Sequence, residues 1–340
     1  MINKKKILFN FSSSYTGGGL KRLLSFSEWF DCHDGALFIV NERSKLHLLK
    51  YKNNTYFYIN LSKFKKALNS HKYLIDIVNS HGVPYMYYSY GIPIPCKIGS
   101  INWFHLSNVL PLISHSGYGL TLKRSLELKW LGKLFKKNYE NAEVLSAESN
   151  YSLNLLPSSS KYTRIVSPNG SDKEVELFDQ TRQYKVKNIA VVVGTFFYKD
   201  LRASYRVFVK LKEAHKELKM VIIGISSMIP SEIVSDKNIV VTGEITHKDV
   251  ISLLSTAKFY INTSKVENSW NSASEGVLLA NESYISRIEP HFELVKSIAN
   301  SSYVFDGNVI HVKRKNISVE KLMVWSDIIQ NMNKLVKTLK

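Results

Sequence analysis

Cysteine is nearly absent from this 340-residue chain, which holds only Cys32 and Cys96. Two cysteines make no disulfide framework and suit a reducing compartment. No apolar run approaches the roughly 18 residues of a membrane-spanning helix. The N-terminal MINKKKILFNF is basic, but its apolar run is too short for a signal peptide. The expected location is therefore cytoplasmic. A P-loop and a Gly-x-Gly-x-x-Gly dinucleotide fingerprint are both missing, as are metal-ligand spacings, internal repeats and low-complexity stretches. Carboxylates are scarce: 28 Asp and Glu stand against 46 Lys and Arg, a formal charge of +18.

The length suits two domains rather than one core. With 44% hydrophobic and 22% charged residues, the composition is that of a globular protein. The positive charge is uneven. Residues 1–166 carry 22 Lys and Arg against 9 Asp and Glu, and the remainder 24 against 19. Such a surplus suits phosphorylated substrates, anionic lipid or nucleic acid. None of the common nucleic-acid recognition motifs is present.

Short apolar runs alternate with helical patterns along the whole chain, which predicts parallel α/β sheets. The first strand, Lys6–Phe11, leads into SSSYTGGGLKR and an amphipathic helix over Leu20–Phe30. Gly17, Gly18 and Gly19 would let backbone approach a diphosphate closely. Strands follow near 36–40, 55–59 and 84–89, with a helix over Leu61–Ser80. The next strand, SINWFHL, ends near His105. A polar residue at the carboxyl end of a parallel strand is well placed for a site, and a structural role fits it equally. Leu120–Tyr139 reads as a basic helix, with Lys129, Lys133, Lys136 and Lys137 on one side and Trp130, Leu131, Leu134 and Phe135 on the other. Leu126 falls out of place. This pattern suits anionic lipid or an ordinary surface helix.

A second α/β unit begins at Asn188–Gly194. Its first loop reads TFFYKDLRAS. The densest polar stretch is Ser264–Glu293. Glu267 lies in an Asn/Ser-rich loop after a strand over Lys258–Asn262. Asn271-Ser272 reads as a helix start, which puts Glu275 in the first turn of a helix to about Ala280. An N-terminal turn favours acids and has N–H groups that bind phosphate.

This stretch resembles the nucleotide-sugar motif of retaining glycosyltransferases of the GT-B fold, family four. Glu267 and Glu275 match the two glutamates, and Ser286, His291 and Glu293 the Ser and His-x-Glu turn that follow. Pro168-Asn169-Gly170 matches the interdomain boundary, and Gly243-Glu244-Ile245 the turn that meets the nucleobase. The family reads Gly-Arg at the start of the second unit, with a Lys about six residues after the Gly; here stand Gly194-Thr195 and Lys199, which the resemblance makes the candidate for the donor diphosphate, with Arg202 or Arg206 as the second charge. The resemblance implies two Rossmann-like domains facing a cleft, with a last helix crossing back to the first. The expected boundaries are 1–166, a linker over 167–187, a nucleotide-sugar domain over 188–318 and a C-terminal helix over 319–340.

The resemblance also implies retaining, metal-independent transfer of a hexose from a nucleotide-diphospho-sugar, with a UDP donor expected. Glu267 would hold sugar hydroxyls and Glu275 the ribose. Lys199, the three glycines and the helix mouth at Asn271 and Ser272 would meet the diphosphate, and His105 would lie near the donor sugar. The basic first domain suggests a polyprenyl-diphosphate-linked glycan as acceptor, as in O-antigen or capsule assembly, and a peripheral place on the inner face of a bacterial membrane. The rivals are a nucleotide-sugar-binding protein that transfers nothing, an epimerase, and a basic nucleic-acid-binding protein.

Overall fold

The computed structural model describes residues 6–60, 70–170, 185–298, 303–314 and 324–339. The chain divides into two compact units. The first is Met1–Ser114, Thr121–Gly170 and Met323–Lys340; the second is His115–Leu120 and Ser171–Leu322. Most of the expected linker lies outside the described residues. So do the start of the helix expected over Leu61–Ser80 and the start of the one expected over 319–340.

The first unit holds seven strands: β1 (Ile7–Phe11), β2 (Leu37–Asn41), β3 (Thr55–Ile59), β4 (Met86–Tyr90), β5 (Ile101–Leu106), β6 (Val144–Ala147) and β7 (Thr163–Val166). They form one parallel sheet in the order β3-β2-β1-β4-β5-β6-β7. The main helices are α1 (Gly17–Asp31), α2 (Ser70–His81) and α3 (Leu122–Asn138). Every residue of β2, β4 and β5 is buried, as a sheet covered on both faces requires. The core is aromatic: Phe9 meets Phe26, Phe38 and Tyr88 with ring centroids 5.0–5.6 Å apart. The C-terminal helix, Trp325–Thr338, returns to this core as expected. It buries Trp325, Ile328, Ile329, Met332 and Val336, a spacing that makes one helical stripe. Tyr85 Oη donates to the carbonyl of Val336 at 3.0 Å.

The second unit holds β8 (Lys187–Val193), β9 (Lys219–Ile223), β10 (Ile239–Gly243), β11 (Ala257–Asn262), β12 (Glu282–Ser286), β13 (Tyr303–Asp306) and β14 (Val309–Lys313). Their order is β10-β9-β8-β11-β12-β14-β13. The pairs β12–β14 and β13–β14 are antiparallel, and β14 has no counterpart in the sequence reading. Its helices include α4 (Leu201–Ala214), α5 (His247–Thr256), α6 (Asn271–Leu279) and α7 (Glu289–Ile298).

The first sheet reverses its strand order between β1 and β4, and the second between β8 and β11, before turning back at its β14-β13 edge. Doubly wound sheets bind ligands outside the carboxyl ends of the strands at such a reversal. The loops that leave β8 and β11 there carry Lys199 and Glu267.

Helix α6 packs directly on β11. A Cβ at Gly276 would lie 2.2 Å from the Tyr260 ring, and that ring is fully buried. Gly276→Ala is therefore expected to destabilise the second unit by about 1–3 kcal/mol, the usual cost of overpacking. A denaturant titration with an unchanged midpoint would show that α6 can shift without cost.

Candidate functional site

The site of the second unit is built from two loops tied together by backbone. Lys265 N donates to the Tyr198 carbonyl at 2.8 Å, and Thr263 Oγ1 to the Asp200 carbonyl at 2.9 Å. Ser204 Oγ lies 2.7 Å from Thr263 Oγ1. Asp200 turns the chain with φ of 42°, a left-handed conformation that Asp tolerates better than most residues, and its carboxylate caps α4 by accepting from Ala203 N at 3.2 Å.

These ties bring the buried Lys199 against Glu267. Lys199 Nζ donates to Glu267 Oε1 at 2.6 Å and lies 3.2 Å from Ser272 Oγ, in the first turn of α6. Ser264 Oγ sits 2.7 Å from Glu267 Oε1 and 2.6 Å from Asn262 Oδ1. The first intrahelical bond of α6 is Ser274 N to Trp270 O at 2.6 Å. The amides of Asn271, Ser272 and Ala273 precede it, where a helix has donors without intrahelical partners. An ammonium and a helix mouth thus share one place, a good setting for a phosphate.

Ser286 and His291 lie behind this loop. Ser286 Oγ donates to the Ser264 carbonyl at 2.6 Å, and His291 Nδ1 donates to the Ser286 carbonyl at 3.0 Å. Burial pushes the His291 imidazole down to about 4, so it is neutral. The expected His-x-Glu turn is helical: His291 and the half-buried Glu293 lie within α7, which begins at Glu289.

Glu275 is displaced from its expected place. Helix α6 begins at Asn271, so Glu275 opens the second turn, and no acid lies in the first. The macrodipole argument for it therefore weakens. It still shares a face with Ser272, three residues before it. Its Oε1 lies 3.0 Å from His247 Nε2, at the start of α5. Just before α5 comes the turn at Gly243, whose φ is 73°, followed by the exposed Glu244. A continuous row results: Glu267, Lys199, Ser272, Glu275, His247 and the Gly243 turn.

Two expected charges lie elsewhere. Arg202 Nε donates to Glu232 Oε1 at 2.8 Å in an exposed pair, and Arg206 is exposed on α4. Thr195, at the position of the usual arginine, is buried against Gly224.

In the first unit the three glycines are not a loop. They form the first turn of α1, which starts at Gly17 rather than near Leu20. A Cβ at Gly19 would meet Ser14 Oγ at 3.3 Å and Tyr90 Cε1 at 3.4 Å. Beneath them lies a buried polar cluster. His105 Nδ1 is 2.8 Å from Ser146 Oγ, which accepts from Trp103 Nε1 at 2.6 Å. His105 Nε2 is 3.8 Å from Glu148 Oε1, too long for a hydrogen bond, while Tyr90 Oη donates to the same oxygen at 2.7 Å. Arg22 is fully buried. It donates to Ser167 O, Ser167 Oγ, Pro168 O and Asn169 Oδ1 at 2.7–3.3 Å.

Burial and the Arg22 charge push His105 down to about 4. Burial pushes Glu148 up, but His105, Arg22 and Tyr90 outweigh it and hold the carboxyl at about 2. The structural role open for His105 is thus filled, with its ring stacked 5.2 Å from Tyr90. Both shifts are downward, so acid opposes folding. Protonation of His105 in the unfolded chain costs stability as pH falls from 6.5 toward 4, and that of Glu148 from 4.5 toward 2. The melting temperature is expected to fall steadily below pH 6.5. A flat profile from pH 7 to 4 would contradict this network.

Sequence reasoning missed Ser264, His247, Arg22, Tyr90 and Glu148. Only Arg22 carried a signal, as a charge on the apolar face of a helix.

Helix α3 buries Leu128, Gly132 and Phe135. Trp130, Leu131 and Leu134 are half-buried, while Leu122 and Leu126 stand 77% and 56% exposed in line with Lys129 and Lys133. Leu126, out of place on the sequence wheel, thus belongs to the outer, basic face. Among the described residues no helix is long and apolar enough to cross a membrane.

No protein-family model matches this chain, and no curated protein does. Solved structures do. The Anabaena protein HepE, in complex with UDP and glucose, matches with a TM-score of 0.58 at 15% identity, over 87% of this chain and 84% of its own. Sucrose-phosphate synthase from Thermosynechococcus elongatus matches at 0.58 and 11%, over 87% and 85%. An α,α-trehalose-phosphate synthase (UDP-forming) from Burkholderia xenovorans, in complex with glucose-6-phosphate, matches at 0.55 and 8%, over 86% and 87%. At these identities the likeness shows the fold, which is GT-B.

Proposed function

We propose that this protein is a retaining glycosyltransferase that moves a hexose from UDP to a glycan acceptor, in the manner of family four. One observation carries the reading: the row from Glu267 through Lys199, Ser272 and Glu275 to the Gly243 turn, at the strand reversal of a GT-B unit. Its order matches a nucleotide sugar laid out from sugar to base. The UDP assignment draws on HepE, whose structure holds UDP and glucose, and on the synthase named as UDP-forming.

In this reading the bond from the anomeric carbon to the diphosphate oxygen breaks. The acceptor hydroxyl attacks on the same face, and its proton passes to the departing phosphate. Charge builds on the diphosphate, where Lys199 and the α6 amides stand preorganised. Glu267 holds sugar hydroxyls, and no glutamate acts as nucleophile. The ammonium and the amides take the role a metal could fill, so the proposal includes activity in the presence of a chelator.

The acceptor we propose is a polyprenyl-diphosphate-linked glycan, as in O-antigen or capsule assembly, met at the anionic inner face of a bacterial membrane. The outer face of α3 supports this, with lysines beside exposed leucines. Flotation with anionic vesicles at low salt tests it; recovery in the pellet alone would count against the membrane.

The test of the central reading is product analysis by mass spectrometry with a panel of UDP-sugars and a lipid-linked acceptor. A new glycosidic product with released UDP supports transfer. Thr195 in place of an arginine, and Arg202 paired away on Glu232, favour a second reading. In it the protein binds a nucleotide sugar without transfer, or epimerises it. Binding without product, or an altered sugar still on UDP, would establish that instead. Failure to bind any nucleotide would leave the basic surface, and a nucleic acid, to be examined.

A further inference from the structure

We infer that His247 is a positioning residue for Glu275 and thereby sets the preference for a ribonucleotide over a 2′-deoxyribonucleotide. The inference rests on the nucleotide-sugar reading of the second unit. An ionised carboxylate only accepts hydrogen bonds, so the imidazole proton sits on Nε2 and points at Glu275 Oε1, 3.0 Å away.

His247 is itself well anchored. It is the first residue of α5, and the helix start is closed by a reciprocal cap. Asp249 N donates to Thr246 Oγ1 at 3.2 Å, and Thr246 Oγ1 to Asp249 Oδ2 at 2.6 Å. The imidazole thus extends from a rigid point four residues beyond the Gly243 turn. A glutamate has three side-chain torsions, and ordering them on binding costs affinity. A partner that holds one carboxylate oxygen before the ligand arrives removes part of that cost. The gain is realised only with a ligand that uses the carboxylate; the nucleotide-sugar reading gives Glu275 the ribose, and the hydroxyl by which a ribonucleotide differs there from a deoxyribonucleotide is the 2′-hydroxyl.

A purely structural role fits poorly. The His247 side chain is 41% exposed, and ion pairs at such sites add little to folding. The variant should therefore fold.

Calorimetry with UDP and 2′-deoxy-UDP tests the inference on the full chain and on His247→Ala, His247→Gln and Glu275→Gln, with a thermal melt of each. The full chain should favour UDP by about tenfold or more, the scale of one hydrogen bond to a charged group. His247→Ala should lose about tenfold in UDP affinity and leave 2′-deoxy-UDP within about twofold, so the preference collapses. His247→Gln, whose amide can donate to the same oxygen, should keep most of it. Glu275→Gln should lose the preference, and adding His247→Ala to it should change little further. Equal losses for both ligands in His247→Ala, or none for either, would overturn the role of His247 while the site stands. A full chain that binds neither ligand would remove the site reading and this inference with it.

Discussion

Glu267→Gln is expected to lower turnover about 100-fold, on the scale of one preorganised electrostatic partner. UDP affinity should stay within about threefold, well short of the 1.4 kcal/mol that makes tenfold. The separation follows from geometry. Glu267 lies at the far end of the row from the Gly243 turn, so free UDP, which has no sugar, leaves it without a ligand partner. Its contact with a sugar hydroxyl tightens as the ring flattens and therefore acts mainly in the transition state. Glutamine is the right replacement. Glu267 pairs with the buried Lys199 at 2.6 Å, and truncation to alanine would strand that ammonium. Glutamine keeps an acceptor for Lys199 Nζ. Initial rates and calorimetry on the same preparation decide the matter. A matched loss in both would mean the loop had moved, and unchanged turnover would end the catalytic reading of Glu267.

Lys199→Ala should behave differently, with turnover down by about 100- to 1000-fold and UDP affinity falling as well. The ammonium faces the diphosphate, which UDP retains, so binding and chemistry both depend on it. It also compensates Glu267 in a buried setting, so some stability is lost. Lys199→Arg controls for this, because it keeps the charge while changing its shape. The informative result is a variant that still melts cooperatively yet turns over slowly. Near-normal turnover with a lowered melting temperature would move the phosphate role to Arg202 or Arg206. Arg202 would first have to leave Glu232, to which it is bonded at 2.8 Å.

The fold was legible from alternation. Apolar runs of strand length separated by helical patterns announced parallel sheets, because burial on both faces leaves that mark on each strand locally. The C-terminal helix was expected over 319–340 with its return implied by the resemblance, and the structure shows its buried stripe of Trp325, Ile328, Ile329, Met332 and Val336. The hairpin of β13 and β14 was not legible, since β14 inserts antiparallel between β12 and the edge strand β13 and its short run carries no sign of direction.

At the site, the resemblance to the family motif marked Glu267 and Glu275 together and offered Lys199 as a cation; the structure brings Lys199 against Glu267 and Ser272. The sequence also offered Arg202, which pairs with Glu232. The difference lies in burial and angle on α4, which depend on what covers the helix. Lys199 and Glu267 stand 68 residues apart and meet because β8 and β11 are neighbours at the strand reversal. Glu275 and His247 meet because α5 and α6 pack side by side. Arg22 on α1 reaches Ser167, just beyond β7, across 145 residues. Local pattern records which face of an element is buried, a property of consecutive residues. Which elements become neighbours follows from strand order, and strand order is settled by the packing of the whole unit.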